Sequence, residues 1–353
     1  MFSAQATGAI GLLVRLMARM GDAVVYGMPT TAPFQDVPFQ PVPLKLWPGR
    51  HAMRYAAGLA AALRRAPPET IEVHNRPDIA LYLARKFPAI PVILFLHNDP
   101  HGMRGARTPP QRGELVARLA AVAPVSAYLL NRLTDGRAAP DTISVFPNFV
   151  DTNAMPEPHP EKVILFAGRV VADKGADSFV AACALALPHL PGWRAEIIGA
   201  DRFGSDSPET PFLQALRPKA RAADVSMPGW KPHAEVLAAM AGAAIVVVPS
   251  RWPEPFGLTA LEAMACGAAL ICAPRGGLPE VTGQMAVPID PDDPADIATA
   301  IRMLADDPAR RAAIAAGGLA RAASFSTAIA SARLAALRHN VLTHWPRGSE
   351  NPI

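Results

Sequence analysis

The sequence predicts an α/β protein of two domains, each with its own parallel sheet wrapped by helices. Three observations carry this. The chain has 353 residues, about twice the usual size of a single domain. Short aliphatic or β-branched runs alternate with alanine- and leucine-rich stretches long enough for helices. A proline-rich segment, MPEPHPEK at 155–162, cannot extend a helix or strand and divides two halves of similar length. The resulting division is 1–150, 151–327 and a C-terminal helix with its tail, 328–353.

In the first half, strands are expected near 24–26, 71–74, 92–97, 122–126 and 143–146, with helices between them, notably 10–20 and 53–65. In the second, strands are expected near 163–167, 195–198, 225–227, 245–249, 270–273 and 286–289. Open parallel sheets bind ligands outside the carboxyl ends of their strands. Two such domains facing one another would collect binding loops from both in a cleft, so the informative motifs are those that follow strands.

Composition narrows the class. Half the residues are apolar, which excludes a disordered chain. The longest apolar runs, 91–96 and 243–248, are far short of the roughly 20 residues that cross a bilayer. No basic segment precedes the first apolar stretch, and Arg15 and Arg19 lie within it, unlike a secretory signal. A cytoplasmic location is expected. Cys183, Cys266 and Cys272 are an odd number with no CxxC spacing, and read as reduced core residues.

The net charge of +4 hides an asymmetry. Residues 1–150 hold 16 Lys and Arg against 9 Asp and Glu, a net +7, whereas the remainder holds 18 against 21, a net −3. A basic first half suits a phosphorylated acceptor or peripheral contact with an anionic membrane, on the inner face of the plasma membrane. A solvated basic face is the plain alternative. Nucleic acid is not expected, because the basic residues are scattered and no aromatic-interleaved or zinc-finger pattern accompanies them.

The densest signal is VVVPSRWPEPFGLTALEAMACGAAL at 246–270. A buried strand ends, a loop carries Glu254, and a helix begins near Gly257 or Leu258 and runs through Glu262. Glycine at 257 allows close backbone approach, and the first turn of the helix offers unpaired N–H groups to an anion. The Glu262 carboxylate, one turn in, can accept two hydrogen bonds from a vicinal diol such as ribose. In FAGRVVADKG at 166–175, a strand delivers Arg169 and then Lys174. Two cations at a strand exit suit a diphosphate.

The seven residues between Glu254 and Glu262 resemble the EX7E motif of the retaining glycosyltransferases of family 4, of the GT-B fold. The family's G-R-x-x-x-x-K-G is similar to Gly168, Arg169, Lys174 and Gly175. Its P-N-x-V-D hinge is similar to Pro147, Asn148, Val150 and Asp151, and its glycine pair to GGLPEV at 276–281. The resemblance covers roughly 8–340. It implies that Arg169 and Lys174 hold the donor diphosphate, Glu262 the ribose, and Glu254 the donor-sugar hydroxyls near the reacting carbon. Phe256, Gly257 and Leu258 would supply backbone contacts, and the loop from Gly229, GWKPHAEV, would border the base. His97 matches a histidine that faces the donor sugar, although a histidine after a strand is, read alone, more often structural.

The implied activity is retaining transfer of a hexose from a UDP- or GDP-sugar to a glycan or lipid-linked acceptor, as in lipopolysaccharide or exopolysaccharide synthesis. The segment EVHNRP at 72–77 and the basic first half favour an anionic acceptor. No cofactor and no obligatory metal are expected, because cationic side chains and a helix end neutralise the leaving group. His97 and His101 sit in a turn whose spacing does not converge ligands, and DPDD at 290–293 reads as a helix N-cap at Asp292 or Asp293. A nucleotide-sugar epimerase of the same fold and a catalytically weak sugar-nucleotide or glycan binding protein remain alternatives. A nicotinamide dehydrogenase is disfavoured by the lack of GxGxxG after a first strand. One departure stands out: the family begins with a buried strand and a glycine-rich loop, whereas this chain opens almost at that loop, ATGAIG at 6–11. The first strand is expected to be absent or degenerate.

Overall fold

A computed structural model describes residues 2–3, 8–44, 51–202 and 207–346. Ala6 and Thr7 of the glycine-rich opening lie outside the described residues. The chain forms two compact units, 1–148 with 328–353, and 149–327.

In the first unit the strands are β1 (Val25–Gly27), β2 (Phe39–Pro41), β3 (Ile71–His74), β4 (Val92–Leu96) and β5 (Ala121–Pro124). Helices α1 (Ala9–Ala18), α2 (His51–Arg65), α3 (Pro77–Lys86), α4 (Pro109–Arg118) and α5 (Ala127–Thr134) connect and cover them. All pairings are parallel. Strand β4, VILFL, is buried at every position, as expected of a strand covered on both faces. The caps are legible: Thr108 and Gln111 close a capping box on α4, and Ser126 caps α5.

Two expectations for this half are corrected. A single sheet was expected, but the described strands form two, β1–β2 and β3–β4–β5. Residues 2–3, ahead of α1, form no strand that could join them. Phe2 instead packs its ring edge-on against Phe34 and stacks on Phe39. The strand expected at 143–146 is also not formed. That segment makes one bridge, Val122 to Ile143, and Ser144 and Phe146 donate to Val122 and Pro124 carbonyls. The next bridge would need an N–H from Pro124, which proline lacks, so the ladder stops after one rung.

The second unit is a six-stranded parallel sheet of β6 (Glu161–Ala167), β7 (Arg194–Ile198), β8 (Val225–Gly229), β9 (Ala243–Val248), β10 (Ala269–Cys272) and β11 (Val287–Pro288). Its helices are α6 (Ala176–Ala186), α7 (Pro211–Ala222), α8 (His233–Gly242), α9 (Leu258–Ala265), α10 (Leu278–Thr282), α11 (Pro294–Asp306) and α12 (Pro308–Ala323). The spatial order β11-β10-β9-β6-β7-β8 is the doubly wound order, reversing direction between β6 and β9. The core is built from the aliphatic faces of these strands, with Ile164, Ile197, Ile245 and Ile271 buried together.

Helix α13 (Thr327–His344) groups with the first unit from Ala328 onward. Its Arg338 donates to both carboxylate oxygens of Glu72 on β3, at 2.6 and 3.0 Å. At the other end of the second unit's chain, Val150 and Ser326 form a parallel bridge. Val150 N–H donates to Phe325 and Thr327 N–H to Val150. Among the described residues, no helix is long and apolar enough to cross a membrane.

Candidate functional site

The reversal between β6 and β9 places the exits of these two strands side by side, the position at which doubly wound sheets bind ligands. Arg169 follows β6 directly. Lys174 ends a short 3-10 turn, Ala172–Lys174, just before α6. From β9, the chain runs through Ser250, Arg251 and Trp252 to Glu254. These two loops are joined by backbone bonds: Arg251 and Trp252 N–H both donate to the Asp173 carbonyl, at 2.9 and 3.0 Å.

The result is a contact between residues distant in sequence. Lys174 Nζ forms an ion pair with Glu254 Oε1, which also accepts a hydrogen bond from Ser250 Oγ at 2.8 Å. Arg169 behaves differently. The residue is half-buried, and its guanidinium makes no ion pair or hydrogen bond among the described residues. The two cations expected to act alike are therefore distinct: one is committed to a carboxylate, the other is available to an anion.

The Glu254 loop is held from the far side by the glycine pair. Glu254 bridges to Gly276, and Gly277 N–H donates to the Glu254 carbonyl at 2.7 Å. Gly276 has φ +66°, and a β-carbon there would come within 2.3 Å of the Glu254 carbonyl oxygen, so only glycine fits. Gly257 is the N-cap of α9 with φ +105°. A β-carbon on it would meet Leu278 at 2.3 Å; packing on Leu278 thus adds to the ligand access expected of this glycine. No side chain caps α9, and the N–H groups of Leu258 and Thr259 make no hydrogen bond among the described residues. They leave an anion-binding helix end open. Phe256 is buried, its ring edge-on against Phe325. Gly229 ends β8 with φ +92° and its carbonyl accepts from Gly199 N–H.

Glu262 is 8% exposed on α9. Its Oε1 lies 2.7 Å from His233 Nε2, at the start of α8. Burial opposes protonation of His233, but the bond to Glu262 and its negative charge outweigh this and raise the imidazole pKa above its usual 6.5.

The loops are stapled by residues to which the motifs assign no role. Arg251 donates to both Asp177 oxygens, to Ser178 Oγ, to Asp292 and to the Ala172 carbonyl. Arg275 donates to Asp292 and to the Arg251 carbonyl. Within DPDD, Asp293 is the N-cap of α11, accepting from Ala295 N–H, while Asp292 is the partner of these arginines. The three cysteines are buried. Burial pushes every thiol upward, Cys266 to about 12 with a further contribution from Glu262, and Cys183 and Cys272 further still.

In the first unit, His97 follows β4 and His74 ends β3. Register brings them together: His74 Nδ1 and His97 Nε2 are 3.1 Å apart. Asn75 Oδ1 accepts from His97 N–H. Both rings are neutral at physiological pH. Burial, aided by the Arg338 charge, lowers the His74 pKa to about 4. Burial and the neighbouring His74 lower that of His97 to about 3, against an opposing contribution from Asn148. His97 Nδ1 is buried with no hydrogen bond of normal length. His101 instead lies between Asp135 and Arg132, apart from the histidine pair in bonding. The EVHNRP segment is likewise used internally: Glu72 pairs with Arg338, His74 with His97, Asn75 with the His97 backbone, and Arg76 with Asp78. Of these charged groups Arg76 remains 45% exposed.

Sequence reasoning missed Ser250, Arg251, Asp173, His74 and His233. Ser250 acts on Glu254, four residues on; the others act through partners at least 23 residues away or through a backbone carbonyl, contacts that no spacing rule reveals. All five lie inside segments quoted above, 246–270, 166–175, 72–77 and GWKPHAEV, without a role of their own.

Comparison with known proteins agrees with the geometry. Residues 150–320 match the family model of glycosyl transferases group 1, and residues 9–154 that of glycosyltransferase family 4. D-inositol 3-phosphate glycosyltransferase 1 of Catenulispora acidiphila is 36% identical over 192 residues, 52% of this chain and 46% of that protein. Glycogen synthase of Mycobacterium tuberculosis is 36% identical over 156 residues, 41% of this chain and 34% of that protein. The chain thus spans about half or less of the length of the curated relatives it matches. Among solved structures, Anabaena HepE in complex with UDP and glucose superimposes with a TM-score of 0.76 at 19% identity, covering 93% of this chain and 95% of that one. Sucrose-phosphate synthase from Thermosynechococcus elongatus gives 0.76 at 16% identity, covering 96% and 94%. Motifs, doubly wound topology and both family models converge: the chain belongs to the group 1, family 4 glycosyltransferases and has their GT-B fold.

Proposed function

We propose that this protein transfers a hexose from a nucleotide diphosphate sugar, UDP- or GDP-linked, to a hydroxyl of a glycan or lipid-linked acceptor, with retention at the anomeric carbon. The observation that carries the reading is the switch point of the second unit. There an uncommitted guanidinium, a lysine–glutamate ion pair and an uncapped helix end meet at adjacent strand exits.

Arg169 and the α9 amides of Leu258 and Thr259 are assigned to the diphosphate, which they stabilise as charge develops on the departing oxygen. Lys174 has two roles: it orients Glu254 and supplies positive charge to the same region. Glu254, fixed by Lys174 and Ser250, is assigned to donor-sugar hydroxyls, and Glu262 to the ribose diol. The loop from Gly229 is assigned to the border of the base. His97, by the resemblance, is assigned to the donor sugar. With these cations in place the reaction needs no divalent ion. A lipid-linked acceptor at the cytoplasmic membrane face, as in polysaccharide or lipopolysaccharide assembly, is supported by the net +7 of residues 1–150.

Calorimetry against a panel of UDP- and GDP-sugars, followed by transfer assays on glycolipid extracts, tests this. Nucleoside diphosphate should be released only when acceptor is added. A changed sugar nucleotide without acceptor would mark an epimerase, and donor binding without turnover a binding protein.

A further inference from the structure

We propose that His233 is a positioning residue for nucleotide recognition: it holds the Glu262 carboxylate in the orientation that accepts the ribose diol of the donor. The inference rests on the assignment of Glu262 to the ribose.

Glu262 is nearly buried on a helix whose neighbouring positions, Leu261 and Ala263, are fully so. A carboxylate in such surroundings has lost most of its hydration, and either gains a partner or loses its charge. His233 is that partner, with Nε2 2.7 Å from Oε1. It is Glu262's sole hydrogen-bonding side chain among the described residues. The other oxygen, Oε2, accepts nothing from a described residue and is absent from the buried atoms left without a partner, so it faces accessible space. A carboxylate offers about four acceptor positions over its two oxygens. One is used by the imidazole, leaving Oε2 and the second lone pair of Oε1 for two adjacent hydroxyls.

The histidine is itself held in place. It is the first residue of α8, fixed there by Pro232 at the N-cap, and its side chain is 40% exposed. The imidazole therefore spans from solvent to a buried carboxylate. The Nε2–H bond is available from the imidazolium and from one neutral tautomer, so the positioning role does not depend on the charge of the ring.

The test compares UDP and GDP with their 2′-deoxy counterparts, by calorimetry, on the wild-type protein and on His233→Ala, His233→Gln and Glu262→Ala, with folding checked by circular dichroism. The wild type should prefer the ribose form by roughly tenfold, the scale of a lost hydrogen bond to a charged group. His233→Ala should bring that preference close to unity, mainly by weakening the ribose form. His233→Gln, whose amide nitrogen can replace Nε2, should restore most of it. Equal weakening of both forms, or unchanged preference in His233→Ala, overturns the positioning role while leaving the ribose assignment intact. Undiminished preference in Glu262→Ala, or no nucleotide binding by the wild type, overturns the ribose assignment itself and the positioning role with it.

Discussion

Lys174 and Glu254 form an ion pair across 80 residues of sequence, with Ser250 bonded to the same carboxylate oxygen. This contact ties the cationic loop after β6 to the glutamate loop after β9. A movement of one loop is therefore passed to the other.

Replacing Lys174 with Ala should lower kcat by about 100- to 1000-fold, the range for loss of one donor to a developing oxyanion, and should also release Glu254. Glu254→Ala should reduce turnover far more than nucleotide affinity. Steady-state kinetics beside calorimetry on both variants separates the effects; equal losses in turnover and affinity for Glu254→Ala would reject its assignment to the reacting sugar.

Gly276→Ala places a β-carbon where the Glu254 backbone now sits. Because the contact is with backbone, the loop must shift. The variant should keep its fold by circular dichroism while losing at least tenfold in kcat, in line with the sensitivity of catalysis to misplacement of about 1 Å. Wild-type turnover would show that the glycine pair does not position Glu254.

The two buried histidines predict a pH dependence of stability of definite sign. Their folded pKa values, about 4 and about 3, lie below the ordinary 6.5, so the unfolded chain binds protons that the folded chain refuses. Stability should fall as pH drops from 6.5 toward 4, because the unfolded chain takes up protons that the folded pair excludes. His233 has the opposite sign: its raised pKa gives stabilisation that is complete below 6.5 and lost as pH rises through the folded value. Urea denaturation between pH 4 and 8 should therefore reveal an acid-side loss that His97→Gln reduces. An unchanged acid-side slope in that variant would contradict the buried neutral pair.

Much of the fold was legible because its strands are short aliphatic runs bounded by prolines and glycines. The strand Ile71–His74 was read with its exact ends, and β4 needed only the removal of His97. The segment 143–146 was misread for a reason that sequence patterns do not carry: its hydrogen-bonding neighbour is a proline, Pro124, which belongs to another strand. The single sheet expected in the first half fails similarly, since hydrophobic periodicity says which residues pair with some strand but not with which one. For the site, the motifs located Arg169, Lys174, Glu254 and Glu262, yet said nothing of the Lys174–Glu254 contact. That contact depends on sheet order, in which β9 lies beside β6 rather than beside β8. Ser250 and His233 are common residue types whose meaning comes from the carboxylate each one touches.

The bridge between Val150 and Ser326 gives the second unit the character of an insertion. Its chain enters and leaves at neighbouring points, about 4.8 Å apart as adjacent strands are. Such a module can be gained, lost or exchanged between proteins at a single location, without rerouting the chain that hosts it. Its two ends could also be joined by a few glycines, and new termini opened in any of its surface loops.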